Sequence, residues 1–191
     1  MTKDQGEPIV LEDLAAVVRL PALYRKVRRV LEVALESFRP PSDAPLQLVD
    51  EEPGDCVLEY GWHWQDRDGL LQLFVGMSWS EQGHDPIWEV RVEAADTGLA
   101  EQVRLTRWHQ IGARRAGARF SEWDRFWHEE DGGSPLLVGA SAACTRFLED
   151  EDPERAASEY LGGALYALWA SGAMDGLLAA ARGEGGGPQH G

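Results

Sequence analysis

The sequence is poor in cysteine, in lysine and in long apolar runs, and these shortages narrow the class of protein. Cys56 and Cys144 are its two cysteines, and they form no CxxC motif. They either form one bridge or stay free, and a reducing cytosol favours two buried free thiols. No apolar run reaches the roughly 18 residues that a membrane span needs, and no signal-peptide core follows Met1. These absences predict a cytoplasmic protein.

Positive charge is also scarce. Lysine occurs only at Lys3 and Lys26, and 33 acidic residues stand against 18 lysines and arginines, which gives the 191-residue chain a formal net charge of −15. Such a surplus of negative charge opposes direct binding to nucleic acid or to an anionic membrane. The composition therefore predicts a partner protein that is basic or that itself binds nucleic acid.

Motifs for catalysis and cofactor binding are missing as well. The five histidines show no HxH or HxxxH spacing, and no GxxxxGK[ST], GxGxxG or GxSxG pattern occurs. Residues 139–143 resemble a nucleophile elbow but lack its second glycine and a convincing base. We therefore assign no catalytic residue, no metal ligand and no cofactor, and we expect a protein that is not an enzyme.

One near match to a metal-dependent nuclease lies around residues 85–91. Such enzymes place an aspartate and an acid-x-lysine pair on neighbouring strands to hold a divalent ion. Asp85 and Glu89 are the comparable carboxylates here, with His63 or His84 as further candidates. An arginine stands where the lysine belongs, and a guanidinium is too basic to exchange protons at neutral pH. A ladder of charges along one strand is favoured over a divergent hydrolase.

The central stretch of the chain has the two-residue period of antiparallel strands. Apolar and polar side chains alternate over residues 56–65, 70–80 and 87–94. This alternation predicts three consecutive strands, each with one buried side. Asp68 and Gly69 form the dipeptide that tight hairpin turns favour, so the first two strands are expected to form a hairpin.

The facing of the third strand is a specific prediction. Its apolar side chains are predicted to be buried: Trp88, Val90 and Val92. The polar side chains that alternate with them are predicted to stay accessible to solvent: Glu89, Arg91 and Glu93. A period of two places these sets on opposite sides of a sheet.

Helical spacing flanks the strands. The apolar residues of the N-terminal part recur every three or four positions, and Pro21 is predicted to divide a short helix from a longer one. A central helix is predicted from about residue 97 to about residue 111. Asp152 and Pro153 favour the start of a C-terminal helix, which is predicted to stop at Gly172.

Residues 120–130 fit either a helix face or an alternating strand. A glycine-rich turn follows them, and the short apolar strand predicted at 135–140 makes a hairpin the favoured choice. With a further edge strand at 46–49, the fold class is α+β. We expect an antiparallel sheet of about five strands, a three-strand meander plus a hairpin, packed with N-terminal, central and C-terminal helices. Residues 1–182 are predicted to form a single domain and 183–191 a disordered glycine-rich tail.

Basic residues concentrate in one segment of the chain. They are Arg104, Arg107, His109, Arg114, Arg115 and Arg119. Such an island can hold a phosphate or an acidic partner. In a chain with this much surplus carboxylate it is more often neutralised by the chain's own acids, and we favour that interpretation.

Tryptophan is abundant, with eight in the chain. Its side chain buries a large apolar area in a core and is also frequent at protein interfaces. One sheet cannot easily bury so many on a single side. Those in the predicted meander are therefore candidate partner-binding residues: Trp62, Trp64, Trp79 and Trp88.

The order of elements is helix, three-strand meander, helix, hairpin and helix. Together with the small size and the acidity, this order resembles type III secretion chaperones and the YbjN-like proteins thought to share their fold. The resemblance spans about residues 21–169 and transfers no site residue. It implies a homodimer that binds other proteins through a sheet or helix surface. The sequence thus predicts a non-enzymatic, chaperone-like protein-binding module. An antitoxin or immunity protein and the divergent metal-dependent nuclease or hydrolase are the alternatives.

Overall fold

A computed structural model describes residues 11–38, 46–49, 54–56, 59–79, 85–106 and 134–184. The helices in this part of the chain are α1 (Leu11–Ser37), α2 (Thr97–Arg104), α3 (Pro153–Ala170) and α4 (Ala173–Ala181). The strands are β1 (Leu46–Leu48), β2 (Gly54–Cys56), β3 (Glu59–Asp66), β4 (Leu71–Ser78), β5 (Ile87–Ala94) and β6 (Leu136–Ala143). A 3₁₀ helix, Cys144–Glu149, lies between β6 and α3.

The six described strands form an antiparallel sheet. Their order is β1-β3-β4-β5-β6, and β2 also pairs with β3. β1 lies beside the end of β3, where Leu46 pairs with Asp66, and β2 lies beside its start, where Cys56 pairs with Glu59. The two short strands therefore share one edge of a sheet that is about five strands wide. The predicted α+β class is confirmed.

The predicted meander is present as β3, β4 and β5. The buried carboxylate of Asp66 closes the first turn by accepting hydrogen bonds from the N–H groups of Asp68 at 3.1 Å and Leu71 at 2.6 Å. Gly69 has a φ of 70°, a conformation that glycine adopts without steric penalty. Arg182, directly after α4, lies 3.4 Å from the Asp68 carboxylate. The end of α4 is thereby held against this turn.

The prediction of two helices separated at Pro21 is wrong. α1 is one helix, and Pro21 lies inside it. A proline inside a helix removes one donor and crowds the carbonyl four residues earlier, at a cost of about 3 kcal/mol. The helix nevertheless continues because its apolar stripe after the proline is buried; Val27, Val30, Leu31 and Ala34 belong to the core.

The central helix, α2, ends at Arg104 and not near residue 111. Directly after it, both the N–H and the hydroxyl of Thr106 donate to the carbonyl of Val103, at 2.9 and 2.5 Å. The guanidinium of Arg104 donates to the carbonyls of Ser134 and Leu136, both at 2.6 Å. The bonds from Thr106 satisfy the carbonyl of Val103 near the end of α2. Those from Arg104 fix this residue to the start of β6.

The C-terminal helix, α3, begins as predicted. Asp152 is its N-cap and accepts a hydrogen bond from the N–H of Arg155 at 3.1 Å, and Pro153 is its first residue. The helix ends at Ala170, and Gly172 follows with a φ of 74°. The predicted edge strand at 46–49 is also present, as β1.

Several sequence predictions fall on residues that the structure does not describe, including the one made for the basic segment from Arg107 to Arg119. The strand predicted at 120–130, and with it the hairpin, lies outside the described residues. The strand predicted at 135–140 is present as β6, which pairs with β5. Of the predicted tail, Gly183 has a φ of 71° after the end of α4, and residues 185–191 lie outside the description. The single-domain boundary at residue 182 stays a prediction.

One side of the sheet, which we call the first face, forms the core together with the helices. Its buried side chains are Tyr60, Trp62, Trp64, Leu71, Leu73, Val75, Met77, Trp88, Val90 and Val92. The predicted burial of Trp88, Val90 and Val92 is therefore confirmed. Val90 has no exposed surface, so the first face is shielded from water at its centre.

α1 and α3 lie side by side in this core and run in the same direction. The hydroxyl of Ser158 donates to the carbonyl of Val30 at 3.0 Å. One turn further along both helices, a Cβ placed on Gly162 would lie only 3.3 Å from the carbonyl oxygen of Ala34. The absence of a side chain at Gly162 therefore lets the two backbones approach closely.

Candidate functional site

The opposite side of the sheet, which we call the second face, carries charge and glycine. Among the side chains that alternate with the first face are Glu59, Gly61, His63, Phe74, Gly76, Glu89, Arg91, Glu93, Gly139 and Ser141. Across it, His63 pairs with Phe74, Phe74 with Arg91 and Arg91 with Gly139. One row of the sheet thus brings an imidazole, a phenyl ring and a guanidinium together.

Arg91 is the centre of a cluster of ion pairs. Its Nε donates to Glu93 at 2.7 Å, one Nη donates to Glu89, and the other donates to Glu59 at 2.7 Å. Glu89 and Glu93 lie on the same strand as Arg91, whereas Glu59 lies on β3. The guanidinium therefore reaches across β4 and joins two strands that do not pair with each other.

Phe74 lies under this guanidinium, and two glycines make room for its ring. The Cζ of Arg91 is 4.3 Å from the ring centroid, within the range of a cation–π contact. A Cβ on Gly76 would lie 2.4 Å from the ring, and one on Gly61 would lie 2.7 Å from it. The ring of His63 flanks Phe74 at a centroid distance of 4.8 Å. Phe74 is only 2% exposed and yet is separate from the core of the first face.

The cluster carries surplus negative charge. Three carboxylates against one guanidinium leave two formal negative charges on the second face. Burial by itself lowers the pKa of Arg91, but the carboxylates of Glu89, Glu93 and Glu59 outweigh that effect, and the pKa rises above its ordinary value. Arg91 therefore stays charged and cannot serve as a proton acceptor.

Solvent reaches the members of the cluster to different extents. The side chains of Arg91 and Glu89 are 13% and 11% exposed, whereas those of Glu93 and Glu59 are 27% and 30% exposed. The prediction that this polar side of β5 stays open to solvent is thus wrong at its centre. The physical reason is that the charges pair with one another above Phe74, so only the outer carboxylates remain accessible.

Sequence reasoning missed Glu59 and Phe74. A signal for Phe74 was present, because it falls in the polar phase of β4, between Gln72 and Gly76. An aromatic residue out of phase, next to a glycine, indicates a ring that lies flat on the backbone. No comparable signal marks Glu59, which is 32 positions from Arg91 and reaches it only through the pairing of three strands.

The residues considered for a nuclease site do not share partners. Glu89 binds Arg91, while the exposed Asp85 accepts a hydrogen bond from Thr145 at 3.3 Å. His63 lies against Phe74, and His84 is outside the described residues. Among the residues that the structure describes, no group of three or more His, Cys, Asp or Glu side chains is arranged to hold a metal ion.

Cys144 is a potential nucleophile away from the second face. It is a free, half-buried thiol at the end of β6. Burial, together with the nearby carboxylate of Asp85, raises the pKa of Cys144 to about 12. Because the thiolate is the reactive form, this thiol is a weak nucleophile at neutral pH.

The four tryptophans proposed for partner binding differ from one another in their exposure to solvent. Trp62, Trp64 and Trp88 are buried in the core of the first face, at 7%, 7% and 6% exposure. Trp79 is half-buried at the edge of the same core. Partner binding by these residues stays a prediction, and Trp79 is the member that keeps appreciable surface.

No protein-family model, no curated protein and no solved structure matches this chain. The resemblance of its element order to type III secretion chaperones and YbjN-like proteins therefore stays a prediction. Within the described residues, no single helix is long and apolar enough to span a membrane. α3 and α4 taken together are long and apolar enough for a membrane span by length and composition alone, with a bend of 60° between them.

Proposed function

We propose that this protein is a non-enzymatic, chaperone-like module of the cytoplasm that binds a basic partner protein, or a partner that itself binds nucleic acid. The observation that carries the proposal is the surplus of carboxylates on the second face. Glu59 and Glu93 each keep more than a quarter of their side chain exposed while touching the same guanidinium. Further positive charge from a partner would complete their neutralisation.

The net charge of −15 supports the same proposal over a longer range. A strongly negative molecule attracts basic partners and repels acidic ones, which raises association rates at low ionic strength. The exposed outer carboxylates then supply a specific place for contact. Arginine is the best match for them, because its guanidinium binds a carboxylate through two parallel hydrogen bonds.

Titration with an arginine-rich synthetic peptide tests this function. The double variant Glu59→Gln/Glu93→Gln is compared with Glu32→Gln/Glu159→Gln, which removes two exposed glutamates that pair with Arg28 and Arg155. Both variants change the net charge equally. We expect the first to weaken binding about tenfold and the second to weaken it about twofold at low salt. Equal weakening by both variants would show that binding follows net charge and not this face.

A parallel assay addresses the hydrolase alternative. The protein is incubated with Mg²⁺, Mn²⁺ or Zn²⁺ and with single- or double-stranded nucleic acid. We expect no cleavage, because Glu89 is occupied by Arg91 and Asp85 has a different partner. Cleavage that disappears in Glu89→Gln would replace the proposed function with the nuclease.

We further propose a homodimer. Leu23 and Val33 on α1 and Tyr166 on α3 are 50%, 37% and 55% exposed, and they lie on the two helices that pack side by side. Exposed apolar side chains favour association, although the net charge opposes it. Sedimentation equilibrium at low micromolar concentration should give twice the chain mass. A monomeric mass that is unchanged at high salt would contradict the dimer.

A further inference from the structure

The exposed face of α1 is divided by charge along its length. Four charged side chains follow one another at spacings of four, three and four residues, which places them on one face of the helix: Arg25, Arg29, Glu32 and Glu36. All four are exposed, and the side chain of Arg29 keeps 75% of its surface open to solvent. This face is therefore basic towards the start of the helix and acidic towards its end.

The division extends beyond these four residues. Residues 14–31 include five basic residues and no aspartate or glutamate, whereas residues 32–37 include two glutamates and no basic residue. Lys26 belongs to the basic half and is 69% exposed. At the flank of the face, Arg28 pairs with Glu32 at 2.8 Å. Charges of the two signs are thus separated along α1 and not interspersed.

Contacts within the chain neutralise this face only in part. Lys26 and Arg29 share the carboxylate of Glu154 on α3, at the long distances of 4.0 and 3.9 Å. In the part of the chain that the structure describes, Arg25 and Glu36 form no ion pair. Both halves of the face therefore keep charge that another surface can meet.

The spacing of the four residues matches a two-fold axis. Arg29 and Glu32 have the same midpoint along α1 as Arg25 and Glu36. At a rise of 1.5 Å per residue, the inner two lie about 2 Å from that midpoint along the helix and the outer two about 8 Å. An antiparallel copy of α1, related by an axis through the midpoint, places Arg29 opposite Glu32 and Arg25 opposite Glu36. A parallel copy in register would instead place like charges together.

We propose that α1 of one copy binds α1 of a second copy in antiparallel orientation through this face, with four ion pairs related by the two-fold axis. The inference deepens the homodimer of the proposed function and rests on it. A two-fold interface uses the same surface of both subunits, so that surface has to be complementary to itself. Val33 is 37% exposed between Arg29 and Glu36, one turn from each, and adds apolar contact.

Other occupants fit the face less well than a second copy does. A polyanion is attracted by the basic half and repelled by the acidic half, and the reverse holds for a basic protein. A second copy in antiparallel orientation offers each half the opposite charge. The pairing also gives a chain with a net charge of −15 a way to associate, because the charges that meet across the axis differ in sign.

Charge reversal tests the pairing. The variants Arg25→Glu/Arg29→Glu and Glu32→Arg/Glu36→Arg each place like charges opposite one another in all four pairs. Each should raise the dissociation constant of the dimer about hundredfold in sedimentation equilibrium. An equimolar mixture of the two variants should regain the dissociation constant of the wild type, because every opposed pair again joins opposite charges. The variant with all four substitutions should regain it as well.

Net charge alone predicts a different pattern. The first double variant makes the chain more negative and the second makes it less negative, so simple repulsion cannot weaken both dimers. Tighter association of Glu32→Arg/Glu36→Arg than of the wild type would therefore overturn the proposal. The control Arg146→Glu/Arg155→Glu reverses two exposed arginines outside α1, and it should change the dissociation constant by no more than about twofold.

The mixture and the fourfold variant guard against loss of folding, which circular dichroism monitors. Two misfolded chains cannot restore a dimer when they are mixed, and the fourfold variant keeps the net charge of the wild type. A mixture of folded variants that stays monomeric would overturn the proposal. If either double variant is misfolded, a folded fourfold variant that stays monomeric would overturn it too.

Failure of this inference is distinguishable from failure of the proposed function. A dimer that persists unchanged in both double variants would retain the homodimer and reject α1 as its interface. A monomeric wild type would reject the interface and the homodimer together, and heparin binding lost in Arg25→Glu/Arg29→Glu would then assign the basic half to a polyanion. Binding of the arginine-rich peptide, which depends on Glu59 and Glu93, is measured separately and decides the partner-binding function.

Discussion

The two faces of the same sheet are built on different physical principles. On the first face, Trp88, Val90 and Val92 of β5 are buried against helices by the hydrophobic effect, which needs no particular pairing. On the second face, Glu89 and Arg91 of the same strand are also largely buried, but they are held together by ion pairs. An alternating strand thus indicates which residues share a face, and it does not indicate that the polar face is open to water.

The comparison also predicts how each face responds to change. An apolar core tolerates substitutions that keep its volume and rejects charge. The stability of a buried ion cluster depends on every member being present, because removing one charge leaves its partners without a compensating charge. The following variants separate these two kinds of dependence.

Val90→Asp should have the largest effect. Val90 has no exposed surface, so an aspartate there places an unpaired carboxylate in the core and should lower the free energy of unfolding by about 4–5 kcal/mol. Val33→Asp is the control, because Val33 is 37% exposed on α1; its loss should stay below about 1 kcal/mol. Urea denaturation measures both. An unchanged midpoint in Val90→Asp would contradict the assignment of the first face.

Arg91→Met should follow, with a loss of about 3–4 kcal/mol. The substitution keeps an apolar body over Phe74 but leaves three carboxylates facing one another without a cation. Arg91→Lys restores the charge without the three-way hydrogen bonding, so it should recover about half of the loss. Wild-type stability in Arg91→Met, measured by the same denaturation, would mean that the second face behaves as ordinary solvated surface.

Gly76→Ala should cost about 2–3 kcal/mol through overpacking. The added Cβ would lie 2.5 Å from the carbonyl oxygen of Tyr60 as well as 2.4 Å from the Phe74 ring, and the backbone atom cannot easily move. Gly98→Ala is the matched control in α2, where the nearest atom is 3.3 Å away on the Asp96 side chain. That variant should change stability by less than about 1 kcal/mol. Similar thermal midpoints for the two alanine variants would show that the glycine row is not required.

Glu93→Gln should have the smallest effect, about 0.5 kcal/mol at low salt, because the side chain is 27% exposed and solvent screens its pairing. Glu89→Gln should cost more, about 1–2 kcal/mol, because Glu89 is buried beside the same guanidinium. Added salt should reduce the loss of stability in Glu93→Gln more than the loss in Glu89→Gln. A larger loss in Glu93→Gln than in Glu89→Gln would contradict the assignment of Glu89 to the buried centre of the cluster and of Glu93 to its outer carboxylates.

The sequence predicted those features that depend on neighbouring residues. The strands of the meander follow from the alternation of side chains, and the start of α3 follows from Asp152 and Pro153, which act within one turn. The facing of Val90 was predicted for the same reason. Each of these signals is local, because a side chain's direction is set by the period of its own element.

What the sequence could not predict depends on distant residues. The continuation of α1 through Pro21 depends on burial against α3, which outweighs a local penalty. The meeting of Glu59 with Arg91 depends on the register of three strands and on the gap left at Gly76. Neither the pairing nor the gap has a local pattern, so the candidate site was visible only as a charge ladder along β5.

The parallel contact of α1 with α3 has a consequence for synthesis on the ribosome. Val30 and its partner Ser158 are separated by 128 positions, and translation proceeds at about 5–20 residues per second. The apolar stripe of α1 therefore leaves the ribosome on the order of ten seconds before the helix that covers it exists. Throughout that interval a nascent chain exposes Val27, Leu31 and Ala34, so α1 is a segment that a holding factor would protect during translation.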